Sequence, residues 1–421
     1  MTAVFTAAYE GLTAEQARLY RLLGLYPGHS VDIGQAVCVS GADPETAQEL
    51  LYALEDAELL EEGEDGRYRF LGEARDHARE QAAQVESDAE REAVLERCVD
   101  YYVTGAAFAD LAVMGERRLR VGGEAVRRPG AYDPFGDTDR RLHALGWLIV
   151  ERLEALAVLR AAVEHGGMAH QAWQLAESLT ALHLNHRLPE EWVACCALGA
   201  EAAAADENPA AEARLRALLS RPLLDLGEEE RARAELDRAL ELADATGDAR
   251  LRALTLGLDG RYWQTRDADR ACAAYESSLA LNEQAGDARG AALARSFLGW
   301  GLCAAGQFEK AVPELRAAEE ALRELEDPRG MGRTLTILGR ALEGAGAHED
   351  AVRAYEDAVH ALRECQATHY EAEALEALAA WTAGPGGDED TAREQLARAL
   401  ELYEAGGSPR ADFLRELLAQ Y

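Results

Sequence analysis

The chain offers one pair of histidines at a spacing suited to metal binding. His183 and His186 lie three residues apart on a predicted helix, and Glu190 and Glu191 follow them. Two histidines one helical turn apart can share a metal ion, but a protein site normally supplies at least a third ligand. No motif supplies that ligand here. We therefore predict polar residues that are partly buried, and no metal or other cofactor.

Other catalytic signatures are missing from the sequence. The single lysine, Lys310, follows the letters GQFE and is not part of a GxxxxGK[ST] phosphate-binding loop. The glycine-containing stretch GWGLCAAG, residues 299–306, falls in a predicted helix with no strand before it. No serine or cysteine occurs in a nucleophile signature. The sequence therefore predicts a protein that is not an enzyme.

Tryptophan and arginine side chains offer the remaining chemistry, which is binding. Both residue types are enriched among the residues that dominate the energy of protein interfaces. Three of the six tryptophans and four arginines recur at helical spacings in the second half of the chain. With one glutamine, these candidate residues are Arg214, Arg221, Trp263, Gln264, Trp300, Arg333, Arg340 and Trp381.

These candidates recur within a sequence repeat of about 40 residues. Gly227, Arg266, Gly306, Gly346 and Gly387 are spaced 39, 40, 40 and 41 residues apart. Five residues after each of them stands an alanine, and four residues later a leucine or a tyrosine. Small residues let two antiparallel helices approach closely, while large residues fill the seam to the next pair. The pattern resembles the tetratricopeptide repeat, with five clear copies and a degenerate copy at about 167–206.

The resemblance to this repeat predicts where the candidate residues lie. In stacked helical hairpins the concave face comes mainly from the first helix of each pair, and the repeat pattern assigns all eight candidates to that face. A basic and aromatic groove in an acidic chain favours an acidic or carboxylate-bearing peptide or protein. Two interpretations stay open. Either the groove binds a partner, or the tryptophans pack between repeats while the arginines pair with nearby glutamates.

The first 80 residues predict three helices followed by a hairpin, the order of a winged helix. Thr13 and Gln16 form a capping box for one helix. Asp43 and Pro44 start another helix, as an N-cap and a first helical residue. The segment AELLEEGEDGRYRFLG predicts a strand, a turn at Glu64–Gly66 and a second strand.

The charge of this region opposes DNA binding, the usual role of a winged helix. A helix that reads DNA presents Arg, Lys, Asn or Gln, whereas the third helix here carries Asp43, Glu45, Glu49, Glu55 and Asp56. Residues 1–80 have a net charge of about −10, and the whole chain has a charge of −34. Repulsion from phosphate disfavours nucleic acid and anionic membranes as partners.

The predicted fold class is mainly all-α, with a small winged-helix domain followed by a right-handed tetratricopeptide α-solenoid. The expected segments are a winged-helix-like domain at 1–80, a helical connector at 81–166, repeats at 167–407 and a capping helix at 408–421. The connector includes an irregular, arginine-rich loop at 116–141. Those arginines either pair with nearby carboxylates or contact an anion or partner. No signal peptide or apolar span is evident, which predicts a cytoplasmic protein.

From end to end, the chain resembles the C-terminal part of AfsR-type signal-transduction ATPases of actinobacteria, the large NB-ARC and tetratricopeptide regulators. The segments that carry the resemblance are AVFTAAYEGLTAEQARLYRLLGLYPG, ALEDAELLEEGEDGRYRF, ERRLRVGG, ALGWLIVERLEALAVLRAAVEHGG and the repeats with GDARG. The resemblance implies repeats that act as a sensor. The nucleotide-binding module of the family is missing, so this chain alone is not expected to hydrolyse ATP.

These observations predict a regulatory module that captures a peptide or protein in the concave groove of its repeats. One alternative is a transcription regulator that binds DNA through the winged helix. Another is an enzyme of a biosynthetic cluster, or a small-molecule-binding protein, that uses the same groove. The sequence does not specify an oligomeric state.

Overall fold

The computed structural model describes residues 2–128, 131–136, 138–384 and 388–419. These residues form two compact units. The N-terminal unit contains the residues up to Val113 together with Gly123–Leu179, and the repeat unit contains Met114–Gly122 and the residues from Thr180 onward. Within the described ranges, no helix is both long enough and apolar enough to cross a membrane.

The N-terminal unit contains the three predicted helices and the hairpin, and one further helix, which was not predicted, precedes them. Thr13 and Gln16 form the expected capping box of the second helix, and Asp43 caps the fourth. The two strands pair in antiparallel register, and Gly66 between them has a φ of 70°, which glycine adopts without strain. The elements are α1 (Thr2–Glu10), α2 (Ala14–Leu25), α3 (Ile33–Ser40), α4 (Pro44–Asp56), β1 (Leu60–Glu62) and β2 (Tyr68–Phe70).

Most of the segment expected as a connector belongs to this same unit. Apart from Met114–Gly122, residues 81–166 cluster with the winged-helix elements, because their long helices share a buried polar network with those elements. The elements are α5 (Ala74–Val85), α6 (Asp88–Met114), a 3₁₀ turn (Ala125–Arg127) and α7 (Arg140–His165).

Glu151 of α7 is the centre of that network. Its carboxylate is buried and accepts hydrogen bonds from Arg67 at 2.5 Å, from Gln35 at 2.9 Å and from the hydroxyl of Tyr102 at 2.6 Å. Arg67 also donates to the hydroxyl of Ser30 at 2.8 Å. The charge of the buried guanidinium is thus matched by a buried carboxylate, which offsets the cost of removing both from water.

The arginine-rich loop supplies ion pairs within the N-terminal unit. Arg128 pairs with Asp100, and Nε of Arg140 lies 2.8 Å from Asp133. These two arginines therefore follow the interpretation of pairing with carboxylates. Residues 129, 130 and 137 of this loop lie outside the described residues.

The repeat unit is built from successive antiparallel helical hairpins. The first pair, α8 (Ala169–His186) and α9 (Pro189–Ala205), corresponds to the degenerate copy, and α8 belongs to this unit only from Thr180 onward. The next are α10 (Pro209–Asp225), α11 (Glu229–Thr246), α12 (Ala249–Trp263), α13 (Ala268–Gln284), α14 (Ala288–Ala304) and α15 (Phe308–Glu324). The last are α16 (Pro328–Gly344), α17 (His348–Glu364), α18 (Thr368–Thr382), α19 (Glu389–Ala405) and the closing helix α20 (Arg410–Leu418).

The backbone follows the same period as the sequence. Gly227, Gly306 and Gly346, between the two helices of their pairs, have φ values of 75°, 71° and 80°. The left-handed conformation recurs between pairs, at Gly247, Gly286, Glu326, Gln366 and Gly407, and in the degenerate copy at Arg187 and Glu207. Gly387, predicted as the fifth turn residue, lies outside the described residues.

Small residues allow the paired helices to approach closely, as the pattern predicts. The repeated alanines Ala232, Ala271, Ala311, Ala351 and Ala392 are fully buried. A Cβ atom at Gly339 would lie 2.4 Å from the ring of Tyr355, and one at Gly299 would lie 2.4 Å from Leu315. Each large side chain therefore occupies space that the facing glycine leaves open.

The aspartate and the arginine between repeats, seen as GDAR in the sequence, form contacts from one repeat to the next. Asp287 caps α14, and its carboxylate lies 2.8 Å from Nε of Arg250 in the preceding repeat. One repeat later, Asp327 caps α16, and its carboxylate lies 2.7 Å from Arg289. Each aspartate thus stabilises the start of its own helix and fixes the previous hairpin against it.

Candidate functional site

The inner helices of the repeat unit line a cavity of about 810 Å³, which we call the open cavity. Its walls come from α10, α12, α16 and α18, which are first helices of their pairs, and from α17, α19 and α20. Its charged and aromatic lining residues are Arg187, Asp225, Arg261, Arg340, Glu343, Tyr355, His369, Glu373, Glu376, Tyr403, Arg410 and Phe413.

Most charges at the base of the open cavity are paired. Arg187 lies 2.8 Å from a carboxylate oxygen of Asp225 and 2.8 Å from His369, which is 3.2 Å from Glu373. Burial by itself would raise the pKa of Glu373, but His369 and Arg187 together lower it. Arg340 differs, since it is exposed and forms no hydrogen bond or ion pair with any described residue. Its guanidinium is accessible to a ligand.

A second, smaller cavity of about 160 Å³ is lined by the first helices α10, α12, α14 and α16 and by residues between Met114 and Leu119. We call it the arginine cavity. Among the described residues that line it, nine are arginines and one is an acid, and Phe297 and several leucines supply the apolar wall. The charged residues are Arg117, Arg118, Arg214, Arg221, Arg250, Arg261, Asp287, Arg289, Arg329 and Arg333.

Aromatic rings hold several of these guanidiniums. Arg221 lies 5.0 Å from the ring centre of Trp192 and donates a hydrogen bond to the hydroxyl of Tyr370 at 2.5 Å. Arg333 lies 4.5 Å from the ring of Tyr370 and 5.2 Å from that of Phe297. These contacts orient the cations, but they do not supply an opposite charge.

The shifted pKa values of Arg221 and Tyr370 reflect an excess of positive charge at this site. Burial and the neighbouring charges of Arg187 and Arg261 lower the pKa of Arg221 to about 9. Burial by itself would raise the pKa of the Tyr370 phenol, but Arg221, Arg333 and other arginines lower it well below its usual value. Both directions indicate a strongly positive potential in the interior of the repeat unit.

The predicted groove residues do not lie on one continuous open surface. Arg214, Arg221 and Gln264 are buried, and Gln264 donates a hydrogen bond to the carbonyl of Trp300 at 2.9 Å. Burial follows from the closure of the inner face on itself, since Arg221 of α10 contacts Tyr370 of α18. Within the described residues, a groove that exposes all eight candidates is therefore not present.

The three predicted tryptophans have different surroundings. Trp300 lines a narrow cavity of about 60 Å³ with Arg333 and Arg340, and Arg261 lies 5.3 Å from its ring centre. Trp263 instead packs against arginines of the second helices, with Arg233 at 5.9 Å and Arg270 at 4.6 Å. Trp381 packs against His348, 4.9 Å between ring centres. All three tryptophans are partly buried and pack against the hydrophobic core, and Trp300 in addition lines a cavity.

Several residues that line these cavities were not predicted from the sequence. Arg250, Arg289 and Arg329 follow the aspartates of the loops between repeats, and all three line the arginine cavity. Their spacing of 39 and 40 residues was a visible signal. Arg261 and Tyr370 carried no comparable signal, because their importance comes from contacts with distant helices.

The two histidines of the predicted pair contact other side chains. His183 stacks on Trp192 with 5.9 Å between ring centres, and Nδ1 of His186 lies 2.9 Å from the hydroxyl of Thr368. Among the described residues, no three or more His, Cys, Asp or Glu side chains are grouped so that they could hold a metal ion.

Two curated relatives are similar in sequence to part of this chain, although no protein-family model matches it. The regulatory protein AfsR of Streptomyces griseus is 33% identical over 257 residues, which are 59% of this chain and 25% of that protein. The regulatory protein AfsR of Streptomyces coelicolor is 34% identical over 254 residues, with the same coverage. The matched part of the chain thus spans a quarter of the length of these relatives.

Solved structures of repeat proteins resemble the chain at low identity. A signal-transduction ATPase with numerous domains and a tetratricopeptide sensor, from Pyrococcus horikoshii, is 14% identical with a TM-score of 0.39, covering 99% of this chain and 62% of its own. A Rap protein in complex with competence and sporulation factor is 12% identical with a TM-score of 0.49, covering 77% and 99%. The sequence matches confirm the predicted resemblance to AfsR-type regulatory proteins over 59% of the chain.

Proposed function

We propose that the repeat unit captures a peptide or protein partner in the open cavity, as the sensor or scaffold part of a signal-transduction regulator. The observation that carries the proposal is a cavity of about 810 Å³ on the inner helices that presents an accessible cation, Arg340. The sequence relatives are regulatory proteins rather than enzymes, which supports a regulatory role and gives no reason to propose catalysis.

The lining of the open cavity suits a short peptide segment. Its volume falls within the range of about 300–1,000 Å³ that ligand sites occupy. Arg340 provides donors for a carboxylate, and the partly exposed ring of Phe413 provides an apolar contact at the other side of the cavity. Glu343 and Glu376 add acceptors for backbone or side-chain amides. An acidic residue next to an apolar one is the pattern that this arrangement favours.

Binding selection with a defined peptide library tests the proposal. The full chain is immobilised, peptides displayed on phage are enriched on it, and the dissociation constants of synthetic copies are measured by fluorescence anisotropy. We expect Arg340→Glu to weaken binding at least tenfold, because it reverses the charge that faces a carboxylate. Arg316→Glu is the matched control, since Arg316 is exposed on α15 and does not line the cavity. Enriched peptides that bind the Arg340→Glu variant as tightly as the wild type would refute the site.

The winged-helix elements do not favour DNA as the partner. The exposed residues of α4 and its cap include Asp43, Glu45, Glu49 and Asp56, so the helix that would enter the major groove presents negative charge to phosphate. A gel-shift experiment with genomic fragments at low salt separates this alternative from peptide capture, because a sequence-specific shift would place DNA binding first.

A further inference from the structure

We propose that the arginine cavity is a binding site for a compact multivalent anion, a small molecule that carries phosphate or carboxylate groups. The site is distinct from the open cavity, because neither Arg340 nor Phe413 lines it, although Arg261 lines both. The proposal rests on the charge, the enclosure and the size of the arginine cavity.

The charge balance of the arginine cavity is incomplete. Its single lining carboxylate, Asp287, is already engaged by Arg250 and by the backbone at the start of α14. Arg289 is matched by Asp327 outside the lining. Among the seven other arginines, Arg221, Arg261 and Arg333 form no ion pair within the part of the chain that the structure describes. These three cations therefore have no directly paired carboxylate, and Asp225 and Glu373 act on Arg261 and Arg333 only from beyond ion-pair distance.

Burial makes this excess of charge costly for the free protein. Arg221 is only 5% exposed, and its Nε atom is buried without a hydrogen-bond partner in the described structure. A buried charge without a partner is unfavourable for a fold unless something compensates it. An anion in the cavity would supply both the missing charge and the missing acceptor.

The way the arginines are held leaves their donors suited to an anion. Arg221 and Arg333 stack on aromatic faces, and Arg261 lies over the ring of Trp300. Stacking uses the face of a guanidinium, whereas its N–H donors lie in the plane and match the oxygens of phosphate or carboxylate. The rings therefore fix the cations in position without using up their capacity to bind.

The size of the cavity limits the ligand to a compact one. A volume of about 160 Å³ resembles the engineered cavities of about 150 Å³ that hold a benzene molecule. That space accommodates a phosphate ester or a short dicarboxylate, but not a folded segment or a nucleic acid. Phe297, Leu218 and Leu293 form apolar wall, so a few carbon atoms between or beside the anionic groups would also be accommodated.

Calorimetric titration of the full chain with pyrophosphate, and separately with succinate, tests the proposal at low ionic strength. We expect at least one of these probes to bind and to raise the melting temperature, and the tighter of the two indicates which anionic group the natural ligand carries. Arg333→Met and Arg261→Gln should each weaken binding at least tenfold. The control Arg316→Gln removes the same charge from the exposed surface of α15 and should leave binding unchanged.

Folding of the variants is measured independently, so that a loss of binding is not confused with a loss of folded protein. Far-ultraviolet circular dichroism should be the same for all variants, and Arg261→Gln serves as the milder change if Arg333→Met disturbs packing. No heat of binding for either probe would overturn the proposal. Equal weakening by Arg316→Gln and Arg333→Met would also overturn it, because it would show attraction by general charge rather than by this cavity.

Discussion

Arg67 in the N-terminal unit and Arg221 in the repeat unit are buried to nearly the same extent, at 6% and 5% exposure. Their surroundings differ. Arg67 meets the carboxylate of Glu151 and the hydroxyl of Ser30, whereas Arg221 meets the ring of Trp192 and the phenol of Tyr370. One guanidinium is neutralised by its own fold, and the other is only held in place.

This difference separates a structural arginine from a binding arginine. A buried ion pair is self-sufficient, so it needs no ligand and its loss is felt by the fold. An arginine stacked on aromatic rings keeps a net charge that a ligand can neutralise. Free energies of unfolding should therefore respond in different ways to substitutions in the two units.

The strongest response is expected from Glu151 of the N-terminal unit. Glu151→Ala leaves Arg67 buried and unpaired, which should lower the free energy of unfolding by about 3–5 kcal/mol. Chemical denaturation followed by circular dichroism measures the change. Glu164→Ala, an exposed position on the same helix, is the control and should have little effect. The double variant Arg67→Met/Glu151→Leu should recover part of the loss, and no recovery would contradict the ion-pair explanation.

The paired arginines of the repeat unit should behave like Arg67. Asp327→Ala removes both the N-cap of α16 and the partner of the largely buried Arg289, and should cost about 2–4 kcal/mol. Asp267→Ala is a matched control, because Asp267 also caps a helix but pairs with the exposed Arg270. It should cost only about 1 kcal/mol. Equal losses in thermal or chemical unfolding would show that capping alone explains both residues.

A smaller change is expected at Arg221. Arg221→Met removes a buried charge but also the hydrogen bond to Tyr370 and the cation contact with Trp192. Because the relief and the losses offset each other, the free energy of unfolding should stay within about 1 kcal/mol of the wild type. The measurement is the same denaturation curve as for Glu151→Ala. A loss of the size expected at Glu151 would show that Arg221 is structural, and the contrast between the two units would fail.

The phenol of Tyr370 provides a spectroscopic measure of the same charge excess. Because nearby arginines lower its pKa below the ordinary value of about 10, a tyrosine should ionise early in a titration followed by absorbance at 295 nm. A guanidinium keeps its proton in proteins, so the phenol rather than Arg221 should lose one. The folded state then binds fewer protons than the unfolded state, and stability should rise with pH between the folded pKa and 10. Tyr370→Phe should abolish both effects, and an unchanged titration would contradict the assignment.

Local signals predicted the fold at the level of single elements and their repetition. The capping box at Thr13 and the cap at Asp43 could be recognised because a few neighbouring residues determine them. The buried alanines followed from a pattern that five copies share. The resemblance to AfsR-type regulators over 59% of the chain was recognisable for the same reason, since long segments and a repeat carried it.

The site was predicted less completely than the fold. Inner-face positions were assigned one repeat at a time, so Trp263 and Trp381 were placed in a groove although they pack against neighbouring helices. Arg340 was placed on an accessible inner wall, where the structure also has it. Arg261 and Tyr370 were missed because their roles depend on contacts that no single repeat contains.

The sequence by itself determined the helical hairpins, their period and the residues that let them pack, because these depend on neighbours a few positions apart or one repeat away. Only the tertiary structure decided which arginines are neutralised and which are not. Arg221 and Tyr370 are separated by 149 positions, and they meet because small rotations between successive repeats add up over the whole array. The sequence of a single repeat does not determine such a sum of rotations.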